Sequence, residues 1–204
     1  MNTSKTFDCV LCGSCVVDIL VRPVPLEVPI GGGKLLEAAF GPAAMAVLKQ
    51  TEAVQIVACG TSFHAGAVAR YFIEQIAQLP CWVDIASEFR YRQPVVPANT
   101  LFVSISQSGE TADTLAALRF AREKVAKTVA VVNVTTSSIA READVALPIH
   151  AGVEVGVAST KAFTSQLVAL QLLALYLAQA RSALTPAQAR PHLEGLLHLP
   201  QLLE

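Results

Sequence analysis

Hydrophobic and polar positions follow two rhythms along this chain. Short, nearly continuous apolar runs recur at Ala53 to Cys59, Cys81 to Ile85, Leu101 to Ile105, Val125 to Val134 and Val145 to Ile149. Bounded by polar or turn residues, such runs predict buried strands. Between them, apolar residues fall three and four apart, the helical spacing. Helices are expected from Gly41-Pro42 through Lys49, with Pro42 suited to a first turn, and over Phe63 to Gln78. Ala86 to Arg92 predicts a short amphipathic helix, and the segment after Ser108 another, with Ala112, Leu115 and Leu118 on one face. Ser137 to Glu142, a long segment to about Arg181, and a last helix from near Pro186 to Pro200 complete the pattern. Strands alternating with helices predict an α/β fold, a doubly wound parallel sheet flanked by helices. Ligands of such sheets bind beyond the carboxyl ends of the strands.

The stretch Leu101 to Leu118, LFVSISQSGETADTLAAL, carries the sharpest signal. It reads as strand, tight loop and helix. The loop holds the hydroxyls of Ser106, Ser108 and Thr111, and Gly109 allows close approach of backbone to a ligand. Ser108 is the expected N-cap. A helix N-terminus attracts anions, and small hydroxyls beside its amides suit a phosphate monoester. No Gly-x-x-x-x-Gly-Lys accompanies it, so this is not a nucleoside-triphosphate loop. Alone, the stretch reads equally as an ordinary capped helix. Two further loops at strand ends, Thr61-Ser62 and Val157 to Ser159, carry hydroxyls in the same kind of position.

Composition narrows the class. The 204 residues suffice for one domain with a full core, and 53% are hydrophobic against 15% charged, as for a sheet buried on both faces. A formal net charge of −1 favours neither nucleic acid nor an anionic membrane. The apolar run Leu167 to Ala178 is too short to span a bilayer, and Met1 to Asp8 lacks a signal-peptide pattern. Five cysteines, an odd number, argue against a disulfide framework, so a cytoplasmic chain is expected. Residues 8–22 read as a strand and turn in which Cys9, Cys12 and Cys15 lack a nearby fourth ligand; they read as small apolar side chains rather than a metal site. His150, His192 and His198 have no metal-ligand spacing, and no cofactor or metal is expected.

Other residues are open to two readings. Glu154 is an acid–base candidate or a cap for backbone amides, and His64 a substrate contact or a partly buried structural histidine. Arg90 and Arg92 line a dimer contact or pair with Glu88. The helix after Ser159 carries Phe163, Leu167, Leu170, Ala174 and Leu177 in one stripe, widened by Leu172, Leu173 and Leu175. That face is broader than one small sheet covers, so a homodimer or a neighbouring domain is expected.

Four motifs in order resemble a known family: Cys59-Gly60-Thr61-Ser62, Ile85 to Arg92, Ser106 to Thr114 and Glu154 to Thr164. From about Phe40 to Glu204 the chain resembles the first sugar-isomerase (SIS) subdomain of the isomerizing glutamine–fructose-6-phosphate aminotransferases, the glucosamine-6-phosphate synthases. The resemblance implies that Ser106, Gln107, Ser108 and Thr111 hold the sugar phosphate. It also implies that Thr61 and Ser62 contact the phosphosugar, and that Val157 and Ser159 meet its amino or hydroxyl end. Fructose 6-phosphate or glucosamine 6-phosphate is the implied ligand, and a second SIS subdomain or a homodimer the implied partner. The glutaminase domain and second SIS subdomain of that family have no counterpart here, which leaves the catalytic residues unassigned and predicts turnover of neither glutamine nor fructose 6-phosphate. The alternative is a free-standing hexose-phosphate-sensing SIS module. Phe7-Asp8, Gly13-Ser14, Asp18 and Gly31 to Lys34 resemble instead the opening of a ribokinase-like carbohydrate kinase. Residues 1–39 are therefore expected to be an extension, fused or mispredicted, and residues 40–204 the SIS domain.

Overall fold

The computed structural model describes residues 44–92, 94–154 and 159–202. The N-terminal residues Phe7 to Lys34, with Cys9, Cys12 and Cys15, lie outside them. A short helix α1 (Ala44–Gln50) leads into β1 (Ala53–Ala58), followed by α2 (Thr61–Phe72), which widens into a π-helical turn at Ile73–Ala77. Then come β2 (Cys81–Ile85), α3 (Ala86–Arg92), β3 (Thr100–Ser106) and α4 (Ala112–Arg122). The chain continues through β4 (Lys127–Val132), α5 (Ser138–Glu142), β5 (Val145–Pro148), the 20-residue α6 (Lys161–Ala180) and α7 (Pro186–Leu202). The last helix runs past Pro200 rather than ending there.

All strand pairings are parallel and the sheet order is β2-β1-β3-β4-β5. Strand order reverses between β1 and β3, which opens a crevice at their carboxyl ends. The register Ala58↔Ile105 keeps those ends level. Alternate side chains divide the core. Val54, Ile56, Leu101, Val103 and Ile105 face α2 and α6, while Val57, Phe102, Ala130 and Val132 face α3, α4 and α5. On the second face Phe89 packs on Phe102 and Phe120, with ring centroids 5.5 and 5.9 Å apart. On the first, Gly66 lets α2 lie close to the sheet: a Cβ there would sit 2.9 Å from Ile56 Cγ2.

Two sequence expectations are corrected by packing. On α4 the buried face is Thr114, Ala117, Leu118 and Ala121; Ala112 is exposed. On α6 the broad apolar face is covered within the chain: Leu170, Leu173, Ala174, Leu175 and Leu177 are buried, and Phe163, Leu167 and Leu172 partly so. The sheet, α1, α2 and α7 all pack against it. By length and composition α6 could cross a membrane, but 61% of its apolar window is buried, which makes it the core helix of this fold.

Candidate functional site

A cleft of about 250 Å³ opens where the crevice is expected, beyond the carboxyl ends of β1 and β3. Three loops build it. The first follows β1: Cys59 is half-buried, and Gly60, at φ 57° and ψ −135°, takes a backbone conformation open essentially to glycine alone. That turn starts α2 directly at Thr61 and Ser62, both of which line the cleft.

The second loop follows β3 and is held by its own hydroxyls. Ser106 Oγ accepts a hydrogen bond from the Gly109 amide at 3.0 Å and lies 3.0 Å from Thr111 Oγ1. Ser108 Oγ accepts one from the Glu110 amide at 3.2 Å. Ser108 is therefore a turn-former, not the N-cap; that position belongs to Thr111. Thr111 makes no side-chain cap bond, because its hydroxyl turns to Ser106. The N-terminal amides of α4 are thus left uncapped by it, at the end of the helix that favours an anion. Outside the loop, Gly109 at φ 66° packs on α5, where a Cβ would meet Ser137 Oγ at 1.9 Å. Its carbonyl accepts from the Ile139 amide at 3.0 Å, and Glu110 Oε1 accepts from the Ser138 amide at 2.7 Å. That backbone donor holds the Glu110 carboxyl below its ordinary pKa.

The third wall comes from Glu154 and Ser159. Glu154 Oε2 lies 3.4 Å from the amides of Thr160 and Ala162, so the carboxylate sits at the start of α6. Ser159 Oγ is buried without a hydrogen-bond partner among the described residues. Seven of the residues picked out in the sequence, Thr61, Ser62, Ser106, Gln107, Ser108, Thr111 and Ser159, line one cleft; Val157 lies outside the described residues. Sequence reasoning passed over Cys59 and Ile105, which also line it, although both close the strands whose loops were singled out. Among the described lining residues Glu154 is the charged one; lysine and arginine do not occur there.

The remaining candidates lie elsewhere. His64 is exposed on α2 rather than partly buried, its ring edge-on to Phe63 at 5.6 Å. Arg90 pairs with Asp113 at 3.2 Å and Arg92 with Asp84 at 2.9 Å, so neither is engaged by Glu88.

The same pattern is found in known proteins. A family model described as the SIS domain matches residues 47–176. The glutamine–fructose-6-phosphate aminotransferase (isomerizing) of Pseudomonas syringae is 55% identical over 179 residues, which cover 87% of this chain and 29% of that protein. That of Symbiobacterium thermophilum is 51% identical over 175 residues, 86% of this chain and 28% of its own length. The chain therefore spans less than a third of the curated relatives it matches. The C-terminal domain of glucosamine-fructose-6-phosphate aminotransferase from Francisella tularensis superposes with a TM-score of 0.77 at 45% identity, covering 86% of this chain and 52% of that one. Glucosamine-6-phosphate deaminase from Thermotoga maritima shares the fold alone, with a TM-score of 0.58 at 23% identity over 74% of this chain and 47% of its own. With its parallel sheet, its hydroxyl-lined cleft at the β1/β3 crossover and the match over residues 47–176, the chain belongs to the SIS domain family.

Proposed function

We propose that this chain binds a hexose 6-phosphate, fructose 6-phosphate or glucosamine 6-phosphate, as the first SIS subdomain of the isomerase region of a glutamine–fructose-6-phosphate aminotransferase. The observation that carries the reading is the convergence of serine and threonine hydroxyls from three loops on one cleft at the N-terminus of α4. The phosphate takes the Ser106 to Thr111 loop and the α4 amides, with Thr61 and Ser62 beside it; the sugar extends toward Ser159 and Glu154, and the family resemblance adds Val157 as a contact. Each hydrogen bond to the dianion contributes about 1.5–3 kcal/mol. Neutral donors hold it without the fixed countercharge that would slow product release.

Isomerisation also needs a base at the carbon-bound proton beside the carbonyl. The Glu154 carboxylate is directed to the α6 amides. We therefore assign the base to a neighbouring subdomain, and read residues 40–204 as the sugar-phosphate unit and residues 1–39 as a separate extension of a cytoplasmic enzyme. A second SIS subdomain or a second copy of the chain is the expected neighbour. Apolar side chains on the β2 edge, at the end of α3 and just beyond it support one: Trp82 is 46% exposed, Tyr91 75% and Val95 97%. A clean monomer by light scattering at micromolar concentration would count against the second copy.

Calorimetry with fructose 6-phosphate and glucosamine 6-phosphate on wild type and on the Ser108→Ala, Thr111→Ala double variant tests the site. Binding by wild type and at least tenfold weaker binding by the variant is expected, roughly one lost charge-assisted bond. Equal binding by both proteins overturns the assignment.

A further inference from the structure

Behind the cleft, a residue 104 positions away in sequence reaches one of its hydroxyls. Gln166, on α6, is fully buried, and its Nε2 donates to Ser62 Oγ at 3.0 Å. A serine hydroxyl has one proton and two lone pairs. Once the amide fills a lone pair, the Ser62 proton is left to point elsewhere, and Ser62 lines the cleft. We propose that Gln166 is a positioning residue: it turns the Ser62 hydroxyl into an outward donor, aimed at an anionic or oxygen-rich ligand. This inference rests on the phosphosugar reading of the cleft and deepens it.

Two further facts bear on it. Nε2 is the Gln166 atom placed against Ser62 Oγ, so in this arrangement the amide donates and the serine accepts. The Oε1 atom is buried without a hydrogen-bond partner among the described residues. A buried carbonyl left in that state costs stability, whereas an apolar side chain of similar size would not. On stability alone leucine or methionine would serve better at 166, where the side chain is fully buried. The amide is therefore explained by what it does for Ser62.

The test is a double-mutant cycle read in affinity. Fructose 6-phosphate is titrated into wild type, Gln166→Leu, Ser62→Ala and the double variant, with melting temperatures recorded in parallel. Gln166→Met, closer in shape, repeats the cycle should the leucine variant pack badly. Each single change is expected to weaken binding by roughly three- to tenfold. The double variant should be no weaker than the poorer single one, and the Gln166 variants should melt no lower than wild type. Wild-type affinity in the Gln166 variants, or losses that multiply in the double variant, overturns the positioning role. Absence of binding by wild type overturns the phosphosugar reading, and this inference with it.

Discussion

The hydroxyls of Ser106 and Thr111 lie 3.0 Å apart, joining the last residue of β3 to the N-cap of α4 across the loop. Ser106 also accepts the buried Gly109 amide. Ser106→Ala strands that donor and should lower stability by about 1–3 kcal/mol as well as weaken phosphosugar binding. Ser108 is exposed and bonds only the neighbouring Glu110 amide among the described contacts. Ser108→Ala should cost no more than about 0.5 kcal/mol of stability while still weakening binding. Urea unfolding beside calorimetry separates the two; equal stability losses would show that the loop is not organised by Ser106.

Two glycines bracket the cleft and differ in what constrains them. At Gly60 an added Cβ meets nothing within 4 Å, so Gly60→Ala costs backbone strain alone, about 1–3 kcal/mol. At Gly109 the φ of 66° combines with a Cβ position 1.9 Å from Ser137 Oγ and 2.5 Å from Ser137 Cβ. Gly109→Ala should be the more destabilising by a clear margin, and pairing it with Ser137→Gly should recover part of the difference. A Gly109→Ala chain as stable as Gly60→Ala would show that α5 yields freely.

Acid should loosen the face that carries α4 and α5. Arg119 bonds both carboxylate oxygens of Glu142, at 2.7 and 2.6 Å, and holds that carboxyl below its ordinary pKa, as the Ser138 amide does for Glu110. A depressed folded pKa means that the unfolded chain takes up the proton first as pH falls. The stabilisation is complete above the unfolded pKa, about 4.3, and is lost as pH drops through the folded values. Urea midpoints should be insensitive to these groups between about pH 6 and 8 and fall below about pH 4. The Glu110→Gln, Glu142→Gln double variant should show a shallower acid limb; an unchanged limb would assign it to other carboxylates.

The two described cysteines should react differently. Cys81 is buried in β2, and burial pushes its thiol up to about 12. Cys59 is half-buried and lines the cleft. Iodoacetamide near neutral pH, followed by peptide mass mapping, should label Cys59 and spare Cys81, and fructose 6-phosphate should slow the labelling of Cys59. Labelling that ignores the sugar would separate the cleft from the ligand site.

The sheet and most of the cleft were legible in the sequence because both depend on local pattern. Cys81–Ile85 and Ala86–Arg92 fall where apolar periodicity puts them, and the hydroxyl loops follow their strands directly. What escaped depends on partners distant in the chain. Leu172, Leu173 and Leu175 looked like surplus apolar surface because helices before and after the sheet supply their cover. Ser108 looked like an N-cap because nothing local shows that the Thr111 hydroxyl is drawn to Ser106. Arg90 and Arg92 choose Asp113 and Asp84 over the adjacent Glu88 through the packing of α3 on its neighbours. The Gln166 bond to Ser62 joins residues 104 positions apart and leaves no trace in local pattern.

An all-parallel sheet has a kinetic side. None of its pairings is a hairpin: a helix lies in sequence between the two strands of every pair, and β2 with its flanking helices lies between β1 and β3. Chains dominated by such distant contacts fold slowly. The cleft draws on residues from Cys59 to Ser159, so it comes into being only when nearly all of those crossovers are complete. A ligand that bridges its loops recognises the finished fold and no earlier species, and it raises the finished fraction by mass action. If the proposed phosphosugar binds there, its supply and the survival of newly made protein are joined at one place in the chain.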